Sequence, residues 1–243
     1  MSDPIRPLRL VVIAAGLSVP SSTRMLADRL AAATRDVLES DGHSVTIDVI
    51  EVKDLGHDIV DATLTHFAGE RLQKAIDLIR GADGVIAVTP TFNLSYAGIF
   101  KSFIDVIDPG TFTGVPVLLG ATGGTARHSL AIDYALRPLF TYLKADITPT
   151  GVFAASEDFG APTTAQSPNS LTTRTLRAAT ELAQYVLRFT GATAGAVTPT
   201  RAPSSPTHSI NQSGRPAPLT EFTDFTPMAD LLTPTPTPAR QTP

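Results

Sequence analysis

An α/β fold, with a parallel sheet covered by helices on both faces, is predicted by three features of the sequence. Strand-like and helix-like apolar periods alternate over residues 8–190, and the segments joining them are short. Several strand-like runs are also apolar without a break, as in strands buried on both faces.

The elements follow in order. LRLVVIAAG (8–16) is a continuous apolar run and reads as a central strand. STRMLADRLAAATRDVLES (22–40) sets Leu26, Leu30, Ala33 and Val37 at helical spacing. SVTIDVIEV (44–52) is the next strand, with Val45, Ile47 and Val49 on one side. A helix is expected over 64–80, with Leu72, Ile76 and Ile79 facing inward. GVIAVTP (84–90) is a third strand and Ala97–Ile107 a third helix. VPVLLGAT (115–122) is a fourth strand, followed by a helix over His128–Lys144 that contains Pro138. DITPTGVFAA (146–155) holds a fifth, weaker strand, and a last helix fills roughly 170–189. A five-stranded parallel sheet of this kind favours the flavodoxin-like, doubly wound arrangement over the six-stranded dinucleotide fold.

Composition excludes several functions. The 243 residues carry a net charge of −4, with acids and bases well mixed, so there is no basic footprint for nucleic acid. There is no cysteine, which removes disulfides, thiolate metal sites and a cysteine nucleophile, so redox chemistry must come from a cofactor. The histidines at 43, 57, 66, 128 and 208 lack metal-ligand spacing. The start lacks the pattern of a signal peptide and no apolar run is of membrane-spanning length, so the expectation is a cytoplasmic protein without a membrane partner. Residues 1–190 are expected to form one domain and 191–243 a disordered Pro/Thr/Ser-rich tail. An apolar island in the tail, LTEFTDFTPMADLL (219–232), is read as accidental composition, the alternative being a docking motif that folds on a partner.

Ligands of open α/β sheets bind beyond the carboxyl ends of the strands, and three loops there are unusual. GLSVPSSTRMLA (16–27) brings Ser18, Ser21, Ser22 and Thr23 to a helix start, with Arg24 beside them. One serine suffices for a cap, and the surplus suits a phosphate. The loop has neither the lysine of a P-loop nor the fifth-position glycine of a nucleophile elbow. In PTFNLS, Pro90 stiffens the strand exit, while Thr91, Phe92, Asn93, Leu94 and Ser95 offer a polar backbone edge. Phe92 and Tyr96 are candidates to wall an aromatic ring, the alternative being that both are core residues of the helix that follows, which suits Tyr96. Lys101 and Asp105 read as a helix-face ion pair. In GATGGTARHS (120–129), Thr122, Gly123 and Gly124 give clearance for a ligand, since a Cβ would intrude or force an unfavourable φ. His128 is expected to start a helix. A ligand with a phosphate at one end and a flat heteroaromatic ring at the other would touch all three loops, and FMN has that shape.

SVPSSTRMLA, TPTFNLSYAGIFKSFID and ATGGTARHSLAIDYALRPL together resemble the NADPH-dependent FMN reductases, particularly the alkanesulfonate-linked branch and a related actinobacterial branch. The likeness covers about 8–190. It implies hydride transfer from NADPH or NADH to FMN, with the loop residues above as cofactor contacts and no catalytic acid or base. It also implies a luciferase-like, flavin-dependent monooxygenase as partner, and a homodimer or homotetramer that Tyr134 would help to form if it is not simply a half-buried tyrosine. The family often has Tyr where Phe92 stands. Other classes the sequence allows are an FMN-bound quinone or azo reductase, and a non-enzymatic flavodoxin-like carrier.

A chain ended near Thr190 is expected to keep its melting temperature and its turnover, because the residues beyond it carry little that could form a core. A large fall in either would mean that the tail packs on the body.

Overall fold

The computed structural model describes residues 6–160 and 170–191. Strand β1 (Leu8–Ala14) runs parallel between β2 (Val45–Glu51) and β3 (Gly84–Phe92), with Leu10 opposite both Ile47 and Gly84. β3 pairs in turn with β5 (Pro116–Gly123), Val88 facing Gly120. Along the outer edge of β5 lie β6 (Asp146–Ile147) and β7 (Val152–Ala155), both parallel to it. The order is β2-β1-β3-β5-β6, with β7 also on β5, which is the flavodoxin-like order.

Among the described residues the sheet has seven strands, not five. The fifth position is split because Pro149 has no N–H to give a ladder. At the break the Thr150 N–H and hydroxyl turn to the Glu181 carboxylate at 2.7 Å each. The other addition, β4 (Ser95–Tyr96), is a two-residue strand antiparallel to the end of β3.

Successive residues of β1 enter opposite cores. Leu10, Val12 and Ala14 pack with Ile86, Val88, Leu118 and Val152 beneath α1 (Ser22–Ser40) and α7 (Leu171–Thr190). Val11 and Ile13 join Val85, Ala87 and Leu119 on the other face. That face is covered by α2 (Gly56–Thr65), α3 (Glu70–Arg80), α4 (Gly98–Asp105) and α5 (Arg137–Tyr142). A short α6 (Glu157–Gly160) follows β7. Phe100, Phe103, Phe112 and Phe140 fill the second core, Phe112 and Phe140 meeting edge to face at 5.4 Å. Strand β2 is an edge, so Val49 is exposed although Val45 and Ile47 on the same side are half-buried, and Ile50 is its buried residue.

Two helices differ from expectation. The one predicted over 64–80 is the second of a pair, for α2 ends at Thr65 and α3 begins at Glu70. His66 ends α2 in the left-handed region (φ 58°), its N–H bonded to Ala62 O at 2.9 Å. The helix predicted over 128–144 is broken as well. A 3-10 turn at Ala126–His128 precedes a π turn at Ile132–Leu136, and only then comes α5. Pro138 cannot bond back to the turn before it, and that turn widens so that the Arg137 N–H reaches Ile132 O.

Candidate active site

The carboxyl ends of β1, β3 and β5 open on one edge of the sheet, and the first loop is folded tightly against it. A Cβ on Gly16 would lie 1.9 Å from Ser21 Oγ and 3.1 Å from the Cβ atoms of Ser21 and Thr23, so a larger residue would displace that hydroxyl. That same Ser21 hydroxyl caps α1, accepting from the Arg24 N–H at 3.1 Å. Thr23 is buried, its Oγ1 2.8 Å from Thr122 Oγ1 of β5. Arg24 turns sideways, with Nε donating to Asp28 at 2.7 Å and Nη1 to Glu51 at 2.5 Å. Its pKa is raised above the usual arginine value by the hydrogen bond to Asp28 first and that to Glu51 next. Ser18 and Ser22 are exposed, beside first-turn N–H groups that a helix leaves without intrahelical partners.

The second loop is a hairpin. Thr91 faces Tyr96 and Phe92 faces Ser95, joined by Asn93 and Leu94. Both turn residues have left-handed φ, 50° and 67°, as a tight two-residue hairpin requires. Asparagine tolerates this, whereas Leu94 carries a strain of about 1–2 kcal/mol. The buried Thr89 anchors the base, its Oγ1 accepting from the Ala97 N–H at 3.0 Å and donating to Pro90 O at 3.1 Å. Phe92 is 48% exposed, while Tyr96 turns inward, its ring 6.1 Å from Phe100. Of the two candidate ring walls, then, only Phe92 stands open. Thr91 Oγ1 is buried and has no hydrogen-bond partner. Lys101 and Asp105 form the expected ion pair at 2.5 Å.

The third loop leaves β5 beside the hairpin, Pro90 opposite Thr122 in the ladder. A Cβ on Gly123 would come 2.9 Å from Phe153 Cζ, so this glycine makes room for a neighbouring side chain. Gly124 borders open space. Neither glycine has a left-handed φ, which removes the backbone reason expected for them. His128 closes the 3-10 turn instead of opening a helix, and its Nδ1 is buried without a partner.

The three loops singled out in the sequence thus border one edge, but the parts of their residues differ. Ser18, Ser22, Phe92, Asn93, Leu94 and Gly124 face outward, Ser21 and Thr23 hold the loop together, and Arg24 is engaged by carboxylates. Sequence reasoning missed Gly16 and Thr89. The position of Gly16 between a strand and four nearby hydroxyls was a usable signal for it, whereas nothing marks Thr89. Two larger hollows, of about 580 and 660 Å3, are lined by residues of α2–α4 and of α1 and α7, and neither includes a residue of these loops. The candidate edge fits FMN: it has open hydroxyls at a helix start, an orphaned buried Thr91 hydroxyl, and free space over Gly124. Among the described residues no group of His, Asp and Glu could hold a metal ion.

Residues 8–160 match the family described as NADPH-dependent FMN reductase. An FMN reductase (NADPH) of Pseudomonas aeruginosa is 37% identical over 155 residues, covering 63% of this chain and 80% of the relative. An NADH-dependent FMN reductase of Pseudomonas fluorescens is 34% identical, with the same coverage. An oxidoreductase structure from Corynebacterium diphtheriae superposes with a TM-score of 0.71 at 42% identity, covering 75% of this chain and 98% of the other. The apo structure of an NADH:FMN oxidoreductase gives 0.61 at 25% identity, covering 74% and 89%. The chain belongs to the NADPH-dependent FMN reductase family and is an NAD(P)H:FMN oxidoreductase.

The buried threonine pair gives a direct prediction. Thr23→Val should cost roughly 1–3 kcal/mol in urea unfolding, because Thr122 Oγ1 is left buried and unpaired. Adding Thr122→Val should recover part of that loss. Additive losses in the double variant would show that the two hydroxyls do not depend on each other.

Proposed function

We propose that the three-loop edge is the FMN site, and that reduced flavin leaves it for a separate, luciferase-like flavin-dependent monooxygenase. The observation that carries this reading is the buried Thr23–Thr122 contact, which fixes the serine loop against the glycine loop. Strands β1 and β5 are separated by β3 alone, and the contact brings the first turn of α1 across β3 to the end of β5. A helix start that adjoins the hairpin and the glycine loop suits a ligand with an anion at one end and a flat ring at the other.

In this reading the Ser18 and Ser22 hydroxyls and the start of α1 hold the phosphate. Ser21 and Thr23 shape that cradle, and Arg24 adds positive charge from beside it. Pro90, Thr91, Phe92, Asn93, Leu94 and Ser95 border the polar edge of the ring, with the Thr91 hydroxyl free to bond there. Thr122 and Gly123 set the course of the third loop, and Gly124 leaves the ring face clear. When bound, FMN supplies the hydride acceptor. The residues of this chain orient two rings against each other and move no proton. An edge outside the larger hollows suits a flavin that departs after reduction. Leu130, Tyr134 and Tyr142 are exposed on and beside the widened turn, and they suit a homodimer or homotetramer. Tyr134 is 79% exposed, not half-buried. Among the described residues no helix is long and apolar enough to cross a membrane.

Steady-state oxidation of NADPH and NADH, with and without added FMN, tests the reading. Turnover should saturate with FMN, and oxidation indifferent to added FMN would contradict release of the flavin as product. Ser18→Ala combined with Ser22→Ala should weaken FMN binding by roughly 1–3 kcal/mol while riboflavin, which lacks the phosphate, barely responds. Equal losses for both ligands would remove the phosphate from this loop.

A further inference from the structure

The basic side chains nearest this edge are already engaged. Arg24 is held by Asp28 and Glu51, and Lys101 by Asp105. Arg137 is held by Asp133 and the carbonyls of Thr148 and Pro149, and Arg174 by Asp158 and the carbonyl of Phe153. Arg127 differs. Its backbone N–H is fixed by Thr125 Oγ1 at 3.4 Å, while its exposed guanidinium makes no hydrogen bond or ion pair with any described residue. Lys53 also lacks an acidic partner, but it follows β2, at the far side of the sheet from β5.

Position gives Arg127 its meaning. It lies three residues past Gly124, on the 3-10 turn where His128 Nδ1 is buried and unpartnered. Thr23 of the serine loop meets Thr122 at the end of β5, whereas Arg127 lies five residues further along the chain, past the open Gly124. A cation left free beside the open ring face serves a second anion, one brought by the hydride donor.

We propose that Arg127 binds the 2′-phosphate of NADPH and sets the preference of this enzyme for NADPH over NADH. The inference rests on the edge being the flavin site. A nicotinamide laid over the Gly124 side leaves its adenosine end to run outward across the turn that carries Arg127. The 2′-phosphate is a monoester of nearly two negative charges, and a guanidinium fork holds it with paired, charge-assisted hydrogen bonds. The diphosphate common to both donors lies nearer the nicotinamide and is a ligand for backbone N–H groups. Arginine near the ribose is the ordinary means of accepting the extra phosphate in other nucleotide sites.

Arg127→Ala and Arg127→Lys test this against the parent enzyme. The ratio of kcat/KM for NADPH to that for NADH should fall about ten- to hundredfold in the alanine variant, the loss expected for charge-assisted hydrogen bonds. The lysine variant should keep part of it. Titration calorimetry with 2′,5′-ADP and 5′-AMP reads the same contact without turnover. Arg127→Ala should weaken the first about tenfold or more and change the second by much less. An unchanged donor ratio, or equal loss of both adenosine ligands, would overturn the assignment. If the parent oxidises neither donor, the flavin-reductase reading fails on its own, and the calorimetry still decides what Arg127 binds.

Discussion

The hydroxyl contact between Thr23 and Thr122, 2.8 Å long and buried, is the constraint on which the candidate site depends. It joins the first turn of α1 to the carboxyl end of β5, across a strand that separates β5 from β1. The helix can sit that low because Gly120 has no Cβ, which would come within 3.3 Å of Leu30 on α1. Two loops far apart in sequence are therefore tied together. Replacing either hydroxyl by an apolar group strands the other in a dry place, where an unpaired polar atom is costly.

The second constraint is conformational. The hairpin places two left-handed residues, Asn93 and Leu94, at its tip, and Thr89 pins its base to the start of α4. Ladder pairing of Pro90 with Thr122 holds the hairpin beside the third loop. The resulting edge is built of backbone, hydroxyls and one open glycine, with no pair of acid and base. Such an edge suits hydride transfer, in which orientation is the main demand on the protein.

Much of the fold could be read from the sequence because its central strands are buried on both faces and so are continuously apolar. LRLVVIAA, GVIAV and VLLGA could hardly be anything else. The edges were harder. The fifth strand is interrupted at Pro149, and α2 hides in a stretch whose outer residues Val60, Leu64 and Phe67 are exposed and blur the helical period. The π turn before Pro138 is a local answer to a missing N–H, which periodicity does not report. In the site, residue types placed the three loops but not the role of each side chain. Thr23 meets Thr122, Arg24 meets Glu51, and Gly123 answers to Phe153, thirty residues on. Those pairings are tertiary, and no local spacing carries them.

The central claim is that one ligand spans the serine loop, the hairpin and the glycine loop. A crystal structure of this chain with FMN bound tests it most directly. The account predicts the phosphate at Ser18, Ser22 and the start of α1, with the ring between residues 91–95 and Gly124. Flavin bound in the hollow between α1 and α7, or with its phosphate at the glycine loop, would contradict it.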